Sequence, residues 1–369
     1  MDTPLYHDVT ALRSSSGGND NFPYTFGMTE IPSGNGSGNS ASPEPPQLAL
    51  PPQPSALRKI FIGPNGLRAG WRLLIYFGLI FAFVSAYRFV RHLIQPGTRP
   101  RPDLLNPGPQ LYSHGLAFLL AAIPALIMTR IEGTHWRDYG LPFRKAFGKN
   151  FWLGVLWGIV ALSIIMLALW LGHYYVIDGL ALHGPEILKY AALWAGVMLL
   201  VGLVEEFSLR GYPQYTLASG IGFWPAALFL SFVFLLGHVG NGGEDWLGLI
   251  DVFLFGMFAC FTLWRTGDIW FAVGVHFAWD WGLTFLYSGP NSGMLATGQL
   301  LKVRFSGPAW LSGGSAGPEG SVINIVFDLM WFPLFALLYR HRQWIGMNER
   351  REAGESTSAV VIDSSALSG

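Results

Sequence analysis

Charge is what this sequence has least of. Asp, Glu, Lys and Arg make up 12% of its 369 residues, about half the share of an ordinary soluble domain. The 23 basic and 23 acidic residues cancel, which removes any global electrostatic case for nucleic acid as a partner. Cysteine occurs once, at Cys260, so there is no internal disulfide and no Cys/His zinc-finger spacing. Also missing are an H-E-x-x-H motif, an internal repeat strong enough to argue for an inverted-repeat transporter, and an apolar N-terminal stretch of the kind that marks a signal peptide.

What is present is apolar and gathered into blocks. Hydrophobic residues reach 51%, and they cluster instead of alternating with polar ones, the pattern of a chain that spans a membrane. Eight blocks have about the length a bilayer demands: Trp71–Val90, Tyr112–Ile131, Phe151–Gly172, Leu188–Leu209, Phe223–Val239, Trp246–Arg265, Ile269–Ser288 and Ser321–Tyr339. The expected fold class is therefore all-α, a polytopic integral membrane protein of about eight transmembrane helices. Residues 1–57 are polar and rich in Gly, Ser and Pro, and 349–369 are polar again; both read as disordered tails. Between them, 58–187 hold the first transmembrane helices, 188–290 a core of closely spaced helices, and 291–348 the last helix. A Gly- and Ser-rich loop, Gly289–Gly320, is expected to be long and mobile.

Basic residues orient the chain. An even number of spans puts both ends on one side, with Arg58, Lys59, Arg68, Arg72, the Arg130–Lys149 connection and Arg340, Arg342, Arg350 and Arg351. The positive-inside rule then places both termini in the cytoplasm, in a bacterial plasma membrane, with Arg88, Arg91, Arg99 and Arg101 as exceptions on the opposite side.

A charge near the bilayer centre costs about 2.5–3.5 kcal/mol, so each needs a partner or a task. In "LVGLVEEFSLRGYPQ" (Leu200–Gln214), Glu206 and Arg210 are four apart and can pair on one helix face, while Glu205 is turned away and left free. His276 and Asp280 share a face in the same way. A turn at Ser219–Gly222 lies about 16 residues from both Glu205 and His238, so an antiparallel hairpin sets the two at one height, about 25 Å from the turn; Pro213 is expected to kink the earlier helix. The plainer readings are an interfacial ion cluster for the acids and arginine, an interhelical hydrogen bond for His238, and a clasp for His276 and Asp280. Asp251 and Asp328 have no such neighbours and are expected to be structural, and "GVLWG" (Gly154–Gly158) is a small-residue packing motif.

"EEFSLR" (Glu205–Arg210), "FLLGH" (Phe234–His238) and "HFAWD" (His276–Asp280) resemble, in order, the three motifs E-E-x-x-x-R, F-x-x-x-H and H-x-x-x-N/D of the CAAX-protease and bacteriocin-processing family, called CPBP or Abi. The resemblance covers roughly Leu188–Ser288. It implies a membrane-embedded protease, a hydrolase acting on a membrane-associated peptide or protein in the lipid bilayer. Glu205 would be the general base toward water, His238 would orient that water and protonate the leaving amine, and His276 with Asp280 would stabilise the oxyanion. Glu206, Arg210 and Phe234 would support them. Asp280 stands where the eukaryotic CAAX-processing members carry asparagine, which puts transfer of their substrate in doubt. Glu205, His238 and His276 offer ligands that zinc favours, with a fourth place for water; a metal-free, glutamate-activated water is equally consistent with them. The rival reading is a non-proteolytic membrane scaffold or a proton-coupled transporter.

Overall fold

The computed structural model describes residues 55–63, 66–94, 104–140, 142–347 and 349; the two tails fall almost wholly outside these. Every apolar block becomes a helix. A short helix, α1 (Ala56–Phe61), leads into α2 (Ala69–Ile94), α3 (Pro107–Glu132), α4 (Lys149–Leu171), α5 (Pro185–Arg210), α6 (Tyr212–Ile221), α7 (Phe223–His238), α8 (Trp246–Thr266) and α9 (Trp270–Trp281); then come the four-residue α10 (Ala309–Ser312) and α11 (Val322–Leu338). Local chemistry sets the ends. Pro107 and Pro185 open α3 and α5, where the missing N–H costs nothing. The Asp245 carboxylate accepts from Gly248 N at 2.9 Å to start α8, and Ser321 Oγ accepts from Ile323 N at 3.1 Å to start α11.

The fold class is all-α, and among the described residues no sheet exceeds two strands. Five helical runs are long and apolar enough to cross a membrane: α2, α3, α4, the run from α5 through α6, and α8. Helices α7 and α11 are apolar but shorter, and α9 gains length from a π-helical turn, Gly282–Leu286. The helices turn large apolar side chains outward, among them Phe81, Leu156, Leu228, Phe232 and Leu337. In water such a surface would be an aggregation site; around a bundle of this length it is a lipid-facing surface.

Three corrections to the sequence reading concern chain path. The helix that holds the fourth block does not run on through a kink at Pro213. Helix α5 stops at Arg210 and α6 begins at Tyr212, with Pro213 in its first turn. The break falls at Gly211 because a Cβ there would overlap the Phe207 carbonyl, so only glycine lets the chain turn so tightly. Gly222, at φ 87°, then reverses the chain into α7. The second correction is the Gly289–Gly320 segment, which is not a bare loop. It contributes strand Leu301–Phe305, paired antiparallel with strand Tyr175–Leu180, and it buries Ala316, Glu319 and Gly320. Third, Asp251 on α8 and Asp328 on α11 do have partners, since Asn324 Nδ2 donates to Asp251 Oδ1 at 2.7 Å and to Asp328 Oδ2 at 3.4 Å.

Small residues control the approach of α4 to α9. A Cβ on Gly154 would overlap the Phe271 carbonyl, one on Gly274 the Phe151 carbonyl, and one on Gly158 would lie 2.6 Å from the Val275 carbonyl. The two backbones are in contact, as "GVLWG" leads one to expect.

The bundle has two unlike ends. At one, Arg72 of α2 pairs with Glu132 of α3 at 2.8 Å, and Tyr212 and Tyr139 hydroxyls donate to the same carboxylate. Asn150, at the start of α4, donates to Asp268 ahead of α9 at 3.1 Å, and Gln343, after α11, donates through its backbone to Trp264. The opposite end carries the strand pair, the 239–245 turn and the Gly289–Gly320 segment, joined where Ser315 Oγ donates to the Gly243 carbonyl.

Candidate active site

Glu205 and Glu206 lie in the last turns of α5, one turn before the Gly211 break. Glu206 and Arg210 are fully buried, and Arg210 Nη1 is 3.4 Å from Glu206 Oε1. The same oxygen accepts from His276 Nδ1 at 2.9 Å. An ionised carboxylate only accepts, so the Nδ1 proton of His276 is committed to Glu206 and its Nε2 points elsewhere. That Nε2 stands 3.4 Å from Asp280 Oδ2 and 3.5 Å from Glu205 Oε2. Glu206 thus links the first motif to the third, beyond the pairing with Arg210 that its spacing suggests. Glu205 differs from its neighbour in exposure, with 28% of its side chain accessible against none for Glu206.

His238 is the last residue of α7, and its Nδ1 lies 2.9 Å from the Phe234 carbonyl. A carbonyl cannot donate, so Nδ1 carries the proton and Nε2 is left as an acceptor. Phe234 serves two motifs at once. Its ring meets the His238 ring edge-on at 4.6 Å between centroids, and the Arg210 guanidinium lies over it at 4.6 Å. Glu205, His238, His276 and Asp280 all line one cavity of about 430 Å³ inside the bundle. Its lining includes Asn241 and Asn291 from the turns at the strand-bearing end, so the cavity faces that end and not the end closed by Arg72 and Glu132.

Sequence reasoning missed the far wall of this cavity. Asp251, Asp328 and Glu319 line it too. The Glu319 carboxylate accepts from Trp279 Nε1 at 2.9 Å and from Ser292 N at 2.6 Å. Burial pushes its pKa up, reinforced by Glu244 and Asp280. Glu244, in the turn before α8, is pushed up to about 7 by burial and by its neighbour Asp245. The spacing of four between Asn324 and Asp328 was a readable signal; Glu319, alone in a Gly-rich stretch, offered none.

Zinc can be tested on the donor geometry. Among the described residues no three His, Cys, Asp or Glu side chains are grouped so as to hold a metal ion. His276 has one nitrogen committed to Glu206 and the other between two carboxylates.

A partly accessible carboxylate, an acceptor histidine and a clasped histidine–aspartate pair facing one cavity within an apolar helix bundle have the layout of a membrane-embedded hydrolytic site. Residues 186–282 match the family model described as Rce1-like, type II CAAX prenyl endopeptidase Rce1-like, which bears out the resemblance carried by the three motifs. The matched segment runs from α5 to the end of α9 and contains all of them. This is a protease family, and the match supports intramembrane endopeptidase activity in general. No curated protein and no solved structure matches the chain.

Proposed function

We propose that the chain is an intramembrane endopeptidase that hydrolyses a peptide bond with a water activated by Glu205 and His238. The observation that carries this reading is the convergence of three motifs, from three helices, on one cavity. A water between the partly accessible Glu205 and His238 Nε2 gives its proton to the carboxylate while its oxygen attacks the scissile carbonyl. With Nδ1–H held by Glu206, His276 donates to the developing oxyanion from Nε2 as the imidazolium, and Asp280 orients it. Collapse of the tetrahedral intermediate breaks the C–N bond, and the proton taken from water reaches the leaving amine through His238. Glu206, Arg210 and Phe234 position these groups without touching substrate.

The cavity faces the strand-bearing end, opposite the end where α2 begins and α11 finishes. Combined with the basic residues beside those termini, this favours a substrate presented on the non-cytoplasmic face, such as an exported peptide, over a cytoplasmic prenylated tail. A membrane-impermeant maleimide on intact cells tests the orientation, because the one native cysteine is buried. It should label a His183→Cys variant and not Arg144→Cys; the reverse pattern overturns the assignment.

Chemistry is tested with purified protein in proteoliposomes and a library of membrane peptides. Glu205→Gln keeps the shape of the side chain but removes the base, so cleavage should fall by about 100-fold or more while thermal unfolding is unchanged. A folded Glu205→Gln protein that cleaves at the normal rate sinks the assignment and returns the scaffold reading. Chelation should leave the wild-type rate intact; loss of activity restored by zinc would replace the metal-free mechanism.

A further inference from the structure

The strand Leu301–Phe305 lies beyond the segment matched by the family model and, among the described residues, is paired on one edge only. Its other edge lines a groove of about 660 Å³ at the strand-bearing end of the bundle. Hydrogen bonds flanking the strand fix which backbone groups face that groove. Ser306 N donates to the Tyr174 carbonyl at 2.9 Å, and Ala181 N to the Leu300 carbonyl at 2.8 Å. In an antiparallel ladder these bonds make Phe305–Tyr175 and Leu301–Leu180 non-hydrogen-bonded pairs, whose own N–H and C=O groups point away from the partner strand. Alternation puts Val303, opposite Ile177, in the same class. Leu301 bears this out, since its outward N–H is taken by Ser288 Oγ at 2.8 Å, and Ser288 lines the groove. The outward groups of Val303 and Phe305 have no such partner among the described residues.

Away from the strand the groove is lined by Gly242, Gly243, Gly293 and Gly314, together with larger residues such as Pro290 and Leu295. Met294 lines both this groove and the catalytic cavity. On either side of the boundary, Asn241 and Ser292 face the cavity while Gly242 and Gly293 face the groove. Lys302 and Arg304 flank the edge, with Arg304 held 3.2 Å from exposed Asp178.

We propose that the free edge of Leu301–Phe305 docks the substrate as an added β-strand, taking an extended segment with acidic side chains and leading it past Met294 to the cavity. Backbone pairing with Val303 and Phe305 would supply affinity and register, and Lys302 and Arg304 the preference for acidic residues. This deepens the proteolytic reading and rests on it.

Binding alone tests the proposal, using the full-length Glu205→Gln protein in detergent micelles and a fluorescein-labelled peptide of alternating Asp and Val. Two lost backbone hydrogen bonds should weaken binding by about tenfold or more. That loss is expected for a twin peptide N-methylated at alternate amides, which keeps its charge. It is also expected for Val303→Pro in the protein, since the Val303 N–H faces the groove and not the ladder. Lys302→Glu with Arg304→Glu should weaken the acidic peptide and improve its Lys–Val counterpart. Thermal unfolding of each variant separates lost docking from lost folding. If the N-methylated and parent peptides bind equally, or the charge-reversed protein still prefers the acidic peptide, the docking proposal fails. Because no cleavage is measured, that failure is distinct from failure of the Glu205 mechanism.

Discussion

Replacing Arg210 by alanine isolates the most deeply buried charge pair of the site. Neither Arg210 nor Glu206 has accessible side-chain surface. An exposed pair at this helical spacing contributes only about 0.3–0.5 kcal/mol. Removing one partner of a buried pair leaves the other uncompensated and costs about 3–5 kcal/mol. Loss of the guanidinium over the Phe234 ring adds up to about 2 kcal/mol at a desolvated site, and the vacated volume adds a cavity cost. The expected destabilisation is therefore several-fold beyond that of any surface pair. It can be followed as the thermal midpoint in detergent, at fixed lipid and detergent concentration. Glu206→Gln in the Arg210→Ala background removes the stranded charge, keeps an acceptor for His276 Nδ1, and should recover part of the loss. The reasoning is refuted if Arg210→Ala costs under about 1 kcal/mol, the scale of a solvated pair, or if the double variant is no more stable than the single one.

Two further expectations use other parts of the fold. Burial raises the Glu319 pKa from 4.5 to about 8, so the unfolded chain binds fewer protons than the folded one between these values; stability should fall as pH rises through that window. Glu319→Gln should flatten the slope of thermal midpoint against pH there, and an unchanged slope would show that other groups cause it. Gly274→Ala forces a Cβ onto the α4 backbone and should cost about 1–3 kcal/mol as overpacking, lowering cleavage as well because His276 follows two residues later. Gly78→Ala, with open space around its Cβ, should be neutral or stabilising by about 0.5–1 kcal/mol, and equal effects at both sites would discredit the packing argument.

The site was more legible in the sequence than its surroundings, for a physical reason. Insertion into lipid penalises every charge, so Glu205, Glu206, Arg210, His276 and Asp280 stand out against their apolar runs, and spacing of four names two of the pairs. The link from Glu206 to His276 was not legible, because it depends on how α5 crosses α9. The hairpin argument put Glu205 and His238 at one level, and both do line one cavity, although the chain reaches that arrangement through the Gly211 break and not along a kinked helix. Glu319 and strand Leu301–Phe305 escaped notice because five strand residues among glycines and serines carry too little periodicity to read. Their order comes from distant partners, the strand Tyr175–Leu180 and Trp279.

The glycine crossing also has a mechanical side. Where the backbones of α4 and α9 touch, no side chain lies between them to act as a compliant spacer, so the two helices bend as a single beam. His276 and Asp280 ride on that beam. His238 sits instead on the final residue of α7, ahead of a turn containing Gly240, Gly242 and Gly243. On the proposed mechanism, the groups that meet the oxyanion are therefore carried by two backbones in direct contact, and the group that serves the leaving amine by the end of a single helix.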